Sequence, residues 1–327
     1  MTYVTSQSLH ETIRKLPPAD ELFIGQNNTE VSRALRVTHP EAIKACYGDG
    51  VGLNFTNGYY DPNMFNRKQA SRKSSRFPLA IRNWLLARRS RRKEGECNSN
   101  LETASEFDVH CLLLPNRFDQ TIDQVDEVGL QEFIQLFRCF GERIEVEAPE
   151  SHSILRAVQS RAGRLHVLLT SNFTETGRMS LDGEISGYLD TLGRCTQADN
   201  VQLLIKPHPR DSREKLEKLV ESLGDRYQHV AALTDRRGFY FPFEAVFSGY
   251  LKPVWGESDK LDIATVSSSC LSLELLYGQR CVQGFGAQAS AAQFAPLWAP
   301  LRQKHEADLL RIVDEIRSDQ ATDSRAA

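Results

Sequence analysis

Short apolar runs alternate with amphipathic segments along most of this chain, and this alternation restricts its fold more than any other feature. Leu165–Thr170, Val201–Ile205 and Ile263–Val266 are mostly apolar, as strands buried on both faces of a parallel sheet are. The intervening Asp182–Leu192 and Arg213–Leu223 carry the spaced apolar residues of surface helices. The order of strand, helix and strand predicts an α/β architecture of βαβ units.

The chain is long enough for two domains. A single hydrophobic core stops growing at roughly 250–300 residues, and this chain has 327. Further candidate strands lie at Glu21–Ile24, Ala42–Tyr47 and Val109–Leu114. We predict an N-terminal domain over residues 1–155 and a C-terminal domain over residues 156–327.

Composition excludes several classes of protein. The net charge of −3 argues against general nucleic-acid binding. There is no apolar run near the roughly 18 residues that span a bilayer, and the polar start Met1–Ser6 does not resemble a secretory signal. We therefore expect a soluble, cytoplasmic protein. Its 7 cysteines form no C-x-x-C pair, so no zinc site is indicated.

One segment departs strongly from the average composition. Residues 67–93 contain many arginines and lysines, among them Arg88, Arg89, Arg91 and Arg92, and no acidic residue. Apolar residues such as Trp84 interrupt the charge in a way that suits a basic amphipathic helix. Such an insertion would bind a polyanion, an acidic acceptor or an anionic membrane surface, and the alternative is a solvated loop.

The strongest candidate for catalysis is His208. Val201–Ile205 leads directly into Lys206-Pro207-His208-Pro209-Arg210, so the imidazole follows the carboxyl end of a strand, where open α/β sheets bind ligands. The two prolines fix φ and hold it on a stiff turn. Lys206 and Arg210 add positive charge, a grouping suited to a phosphate that leaves as an anion.

Asp49 is the second candidate. It lies within Tyr47-Gly48-Asp49-Gly50, again directly after a candidate strand. Flanking glycines let a substrate approach the carboxylate closely, which a general base requires. A simple Asp-Gly turn would explain the same residues.

The third motif is the serine run Ser267-Ser268-Ser269, between a candidate strand and a helix expected from Leu271 to Tyr277. Its hydroxyls and the free N–H groups of the helix start would bind a phosphate or carboxylate. Ordinary N-capping is the alternative. Glu274, about one turn further on, would either complete the cap or contact a nucleoside sugar. We expect His166 to be structural and His305 to be exposed.

The order of these motifs resembles the bacterial sialyltransferases of the GT-B fold, and among them the polysialyltransferase-like family. That family carries an acidic-Gly motif, a His-Pro motif and a Ser/Thr motif in this order, here Gly48-Asp49-Gly50, His208-Pro209 and Ser267–Ser269. The similarity spans most of the chain and is strongest from Leu165 to Gly286. One departure is Gly48, where the family usually has a second acid.

The resemblance implies two Rossmann-like domains that face each other across a cleft, and an inverting transfer of sialic acid from CMP-sialic acid to a glycan hydroxyl. Asp49 would be the base and His208 the group that stabilises the departing CMP. The implied donor-binding residues are Lys206, Pro209, Arg210, Ser267, Ser268, Ser269 and Glu274. The four arginines at 88, 89, 91 and 92 would bind a polyanionic glycan acceptor, with peripheral contact to the inner membrane.

The resemblance implies no cofactor. The sequence also lacks a D-x-D triplet, the usual motif for binding a metal-bound nucleotide sugar. Two alternatives stay open on the sequence. One is a phosphotransferase that uses a CDP-polyol on a related fold. The other is a non-catalytic protein that binds polyanionic glycans.

Overall fold

The computed structural model of the chain describes residues 11–24, 30–46, 108–111, 125–126, 129–161, 163–235, 237–256 and 258–326. By their internal contacts they fall into two compact units, Met1–Val128 and Gly129–Ala327. Each unit contains a parallel β-sheet, so the α/β class expected from the sequence is confirmed.

The first unit has a sheet in the order β1-β2-β3-β4, with all neighbours parallel. Its elements are β1 (Glu21–Ile24), α1 (Glu30–Thr38), β2 (Ile43–Cys46), β3 (Val109–Cys111) and β4 (Val125–Asp126). Leu22 and Ile24 of β1 pack with Ala42 in a small core. The three strands expected in the first half are thus present, although β2 and β3 are described only as far as Cys46 and Cys111.

The second unit has a five-stranded sheet in the order β7-β6-β5-β8-β9, with all neighbours parallel. The strands are β5 (Leu165–Leu169), β6 (Gln202–Lys206), β7 (His229–Ala232), β8 (Leu261–Thr265) and β9 (Cys281–Gln283). The first strand of the unit is therefore central, later strands lie on both sides of it, and this order is typical of Rossmann-like folds.

Burial explains why these segments form strands. Every residue of β5 and β6 is buried, and β8 is buried at all positions except Asp262. Leu165, Val167, Leu204 and Ile263 belong to one hydrophobic core cluster of this unit. A strand covered on both faces has no solvent side, and this is why the sequence shows continuous apolar runs instead of alternation.

The helices of the second unit are α2 (Leu130–Glu147), α3 (Pro149–Gln159), α4 (Leu181–Gly193), α5 (Arg213–Leu223), α6 (Phe243–Val246), α7 (Lys252–Trp255), α8 (Ser269–Tyr277), α9 (Ala287–Gln293) and α10 (Ala299–Ala326). A π-helical turn, Phe247–Leu251, joins α6 to α7. Gly141 of α2 approaches α6 and this turn so closely that an added Cβ would lie 2.7 Å from the carbonyl oxygen of Ala245 and 3.1 Å from the Cα atom of Gly249. Both α2 and α3 pack in the second unit, and residues 155 and 156, the boundary expected from the sequence, lie inside α3.

The expectation that His305 is exposed is wrong. It lies on α10 with 1% of its surface exposed, and burial lowers its pKa to about 2 with help from Arg302 and Arg178. Helical spacing is the reason, since His305 falls between Arg302 and Leu309 on the buried face. His166 is structural as expected: buried on β5, it contacts the Tyr227 hydroxyl. Among the helices that the structure describes, none is both long and apolar enough to cross a membrane.

Candidate functional site at the carboxyl ends of three strands

Two of the three motifs meet at one edge of the second sheet. Leu169 of β5 is in register with Lys206 of β6 on one side and with Thr265 of β8 on the other. His208 lies two residues beyond Lys206, and Ser267 lies two residues beyond Thr265. Since neighbouring strands are about 4.8 Å apart, β6 and β8 are separated by roughly 10 Å across β5. The His-Pro turn and the serine run therefore flank the end of the central strand.

The strand order of this sheet reverses between β5 and β8. From β5 the chain proceeds to β6 and β7 on one side, then returns to place β8 and β9 on the other. In open α/β sheets, ligands bind in the crevice at such a switch point. The loops at this crevice begin at Thr170 after β5 and at Val266 after β8.

Hydrogen bonds fix the backbone of His208. Its N–H donates to Thr170 Oγ1 and to Asp211 Oδ2, both at 2.9 Å. In return, the Asp211 N–H donates to the carbonyl oxygen of His208 at 2.9 Å, which closes a four-residue turn with Pro209 at its second position. Thr170 also donates its hydroxyl to Asp211 Oδ2. The turn after β6 is thereby tied to the end of β5.

The imidazole of His208 has a defined tautomer. Nδ1 accepts a hydrogen bond from the Arg210 N–H at 3.1 Å, so a neutral ring carries its proton on Nε2. Burial lowers the pKa of His208 to about 4, and Arg210, Lys215 and Lys206 add to the shift. In the free protein His208 is therefore neutral at pH 7 and presents an N–H donor at Nε2.

The serine run forms a short chain of hydrogen bonds at the end of β8. Ser267 Oγ lies 3.1 Å from Thr265 Oγ1 and donates to Ser269 Oγ at 3.1 Å. Ser268 is the N-cap residue of α8, and its side chain makes no capping hydrogen bond. All three serines are partly exposed. Hydroxyls and the N-terminus of a helix thus lie together at this edge, the combination that binds anions elsewhere.

The other sequence-predicted donor residues differ in their surroundings. Pro209 and Arg210 are exposed on the turn. Lys206 is buried, and its ammonium donates to the carbonyl oxygens of Pro207 and Phe239. Burial lowers the pKa of Lys206 to about 8, against the opposing effects of Asp211, Glu244 and Asp235.

Glu274 is buried in α8, where both of its carboxylate oxygens accept hydrogen bonds from Arg317 of α10, at 2.9 and 2.8 Å. This is a contact between two helices of the second unit. The remaining predicted site residues, Asp49 and the arginines at 88, 89, 91 and 92, lie outside the described residues.

Sequence reasoning missed the group that lies behind the His-Pro turn. Lys215 of α5 is fully buried, and its ammonium pairs with Asp211 Oδ1 at 2.6 Å. The helical spacing of the sequence indicates that Lys215 is buried. It lies four residues before the buried Leu219 and one before the buried Leu216, on the apolar face of its helix. Glu184 likewise lies four residues before the buried Tyr188.

Comparison with known proteins assigns the family. The family model described as Alpha-2,8-polysialyltransferase (POLYST) matches residues 66–280, more than half of the chain. The chain belongs to the alpha-2,8-polysialyltransferase family. It is therefore a glycosyltransferase of the sialyltransferase class, which implies a nucleotide-sugar donor and a glycan acceptor.

The part of the chain matched by the polysialyltransferase model contains His208 and the serine run, and it begins after Asp49. It also contains the whole basic segment 67–93. No curated protein and no solved structure matches the chain. The resemblance to polysialyltransferases that the motifs indicated is confirmed.

Proposed function

We propose that this polysialyltransferase-family protein transfers sialic acid from CMP-sialic acid to a glycan hydroxyl, with inversion at the anomeric carbon and without a metal ion. The observation that carries the proposal is the strand register, in which the His208 turn and the serine run lie on either side of the β5 end. A single phosphate, which is all that CMP carries, is small enough to be contacted from both sides.

Binding of the donor phosphate is assigned to the serine run and the start of α8. Serine hydroxyls and helix N–H groups supply neutral donors to the phosphate or to the sugar carboxylate. Arg210, exposed beside His208, adds a positive charge at this edge of the sheet. Neutral donors suffice for one phosphate, and the chain has no D-x-D triplet to hold a metal-bound diphosphate.

His208 acts on the leaving group. Its Nε2–H donates to the phosphate oxygen as the bond from that oxygen to the anomeric carbon breaks and CMP departs. A bound anion favours the charged form of the ring, so donor binding raises the His208 pKa from its low value in the free protein. The imidazole then serves as a stronger donor at the moment that negative charge develops on CMP.

Asp49 completes the transfer. Its carboxylate takes the proton of the acceptor hydroxyl as the acceptor oxygen bonds to the anomeric carbon on the face opposite CMP. This role requires the GT-B arrangement, in which two Rossmann-like domains face each other, with Asp49 on the N-terminal side of the cleft. The basic segment 67–93 holds a polyanionic glycan near the acceptor position, at the cytoplasmic face of the membrane.

The test is a donor screen with the full chain. Thermal shift with CMP and CMP-sialic acid should show stabilisation by about 2.7 kcal/mol at a ligand concentration of 100 times Kd. Release of CMP should accompany transfer to an oligosialic acid acceptor, with and without EDTA. CDP-glycerol is the matched control, and turnover of CDP-glycerol alone would overturn the proposal. Glycan binding without CMP release would identify a binding protein instead.

A further inference from the structure

The cation behind the His-Pro turn is surrounded by acceptors. Lys215 Nζ lies 2.6 Å from Asp211 Oδ1, 2.9 Å from Glu175 Oε2, 3.0 Å from Glu184 Oε1 and 2.6 Å from the carbonyl oxygen of Ser171. The side chains of Lys215, Asp211 and Glu184 have no solvent exposure. A charge buried in this way persists only where it is paired and hydrogen-bonded.

These acceptors come from separate elements. Ser171 and Glu175 follow β5, Glu184 belongs to α4, and Asp211 follows β6. Lys215 therefore connects the two loops that meet beside the candidate site, from a position on α5. Glu175 also accepts the Ser212 N–H at 2.9 Å, which joins the β5 loop to the start of α5 a second time.

The connection to His208 runs through Asp211. One oxygen of this carboxylate pairs with Lys215, and the other accepts the backbone N–H of His208 and the hydroxyl of Thr170. One ion pair and one hydrogen bond thus separate the ammonium from the backbone of the catalytic candidate. We propose that Lys215 is a positioning residue that holds the His208 imidazole at the donor phosphate by fixing Asp211. This inference rests on the proposed function of His208.

The positive charge of Lys215 balances the carboxylates around it. Three carboxylates contact one ammonium, so its removal would leave three acidic groups without the cation that pairs with them. Burial raises the pKa of Asp211 to about 6, although Lys215 and Thr170 oppose the shift. Without Lys215 the Asp211 pKa would rise further, because its largest opposing effect is gone. The titratable and charged groups on the elements packed around Asp211 are Lys206, His208, Arg210, Lys215, Glu175, Glu184 and Tyr188.

The first variant is Lys215→Met, which keeps the length of the side chain and removes its charge. We expect kcat at neutral pH to fall on the order of 10-fold to 100-fold, with little change in the KM for the donor. Activity should recover as the pH falls toward 5, since Asp211 is then protonated and carries no unpaired charge. The matched control is Lys218→Met, which removes an exposed lysine of the same helix that pairs with Asp182.

The second measurement does not use activity. In the wild type, Lys215 helps to lower the His208 pKa. Lys215→Met should therefore raise the His208 pKa, and Lys218→Met should leave it unchanged. Titration of the His208 ring nitrogens by ¹⁵N NMR in the free protein measures the pKa and the tautomer together. If no variant turns over CMP-sialic acid but Lys215→Met changes the tautomer of His208 as well as its pKa, the proposed function fails and the positioning of the ring by Lys215 stands. A change in the pKa alone would show only the loss of a nearby charge and would count against positioning.

A Lys215→Met/Asp211→Asn variant covers the case in which Lys215→Met does not fold, because an uncharged amide then replaces one of the two fully buried carboxylates that contact the ammonium. If Lys215 acts through Asp211, the effects of the two substitutions on kcat should be strongly non-additive. A folded Lys215→Met or double variant with the wild-type His208 titration and the wild-type pH profile of kcat would overturn the inference.

Discussion

The backbone N–H of Arg210 donates to Nδ1 of His208, and this contact of 3.1 Å directs the imidazole proton to Nε2. The donor face of the ring is therefore set by a residue two positions further along the chain. The geometry suits a hydrogen bond to a leaving group better than removal of a proton, because the lone pair of a neutral ring is then at Nδ1, where the Arg210 N–H already occupies it.

His208→Ala should lower kcat for sialic acid transfer by about 100-fold or more, the usual size of an acid's contribution. Binding of CMP should persist, because the serine run and the start of α8 are unchanged. The measurement is CMP release under saturating donor, with thermal shift for CMP binding. His229→Ala, at an exposed histidine of the same unit, is the control. Transfer at the wild-type rate would remove His208 from the mechanism.

The stability of the protein should depend on pH through His208 and Asp211 with opposite signs. The folded-state pKa of His208 is lowered to about 4, so its contribution is present above about 6.5 and is lost as the pH falls toward 4. The folded-state pKa of Asp211 is raised to about 6, so its contribution is present below about 3.8 and is lost as the pH rises toward 6.

Urea unfolding between pH 4 and pH 7 separates these two contributions. The difference in free energy of unfolding between wild type and His208→Ala should shrink as the pH falls through this range. For Asp211→Asn the difference should shrink as the pH rises. Differences that are constant with pH for both variants would contradict the assigned pKa shifts.

The Glu274–Arg317 pair should contribute to the stability of the second unit. Arg317→Met leaves a buried carboxylate without its partner, which costs roughly 3–5 kcal/mol in a fully buried pair. We expect about 2 kcal/mol, because a third of the Arg317 side chain is exposed. Arg311→Met breaks an exposed pair with Glu315 on the same helix and should cost about 0–1 kcal/mol.

A Glu274→Met/Arg317→Met variant should recover most of the stability that Arg317→Met loses, since no buried charge is then unpaired. If Glu274→Met alone instead weakens donor binding without loss of stability, the contact with a nucleoside sugar considered for this residue would be supported.

Replacement of Arg88, Arg89, Arg91 and Arg92 by Gln should raise the KM for an oligosialic acid acceptor at low salt. The difference from wild type should disappear near 1 M salt, where the screening length is about 3 Å. The control removes four exposed arginines of the second unit, Arg138, Arg143, Arg213 and Arg311. Equal effects of the two sets would assign the result to net charge alone.

The sheets were predictable from the sequence because their signal is local. Val201–Ile205 is mostly apolar, and the strand covers Gln202–Lys206 with only a small shift. The carboxyl-end position of His208 follows from that strand and from the two prolines around it. The placement of His208 and Ser267 on either side of the β5 end also depends on the order β6-β5-β8, which no local pattern specifies.

The buried charges were not predicted because their partners are distant in sequence. Residue type alone predicts Lys215 to be an exposed lysine of a surface helix, yet it contacts Glu184, 31 residues away. Arg302 similarly donates to the carbonyl oxygen of Val266, 36 residues away, directly before the serine run. A charged residue at an apolar helical position is the available sign, and only tertiary contacts reveal what balances it.

The central place of β5 also bears on the order in which this unit assembles. Leu165 pairs with Gln202 through a short connection, but with Leu261 only after nearly a hundred residues have intervened. Contacts between distant parts of a chain form late, because the entropic cost of closing the loop must be met before those contacts stabilise the fold. We expect amides of β6 to gain protection in pulsed hydrogen exchange before those of β8. The imidazole half of the site would then exist during refolding before its hydroxyl half has formed.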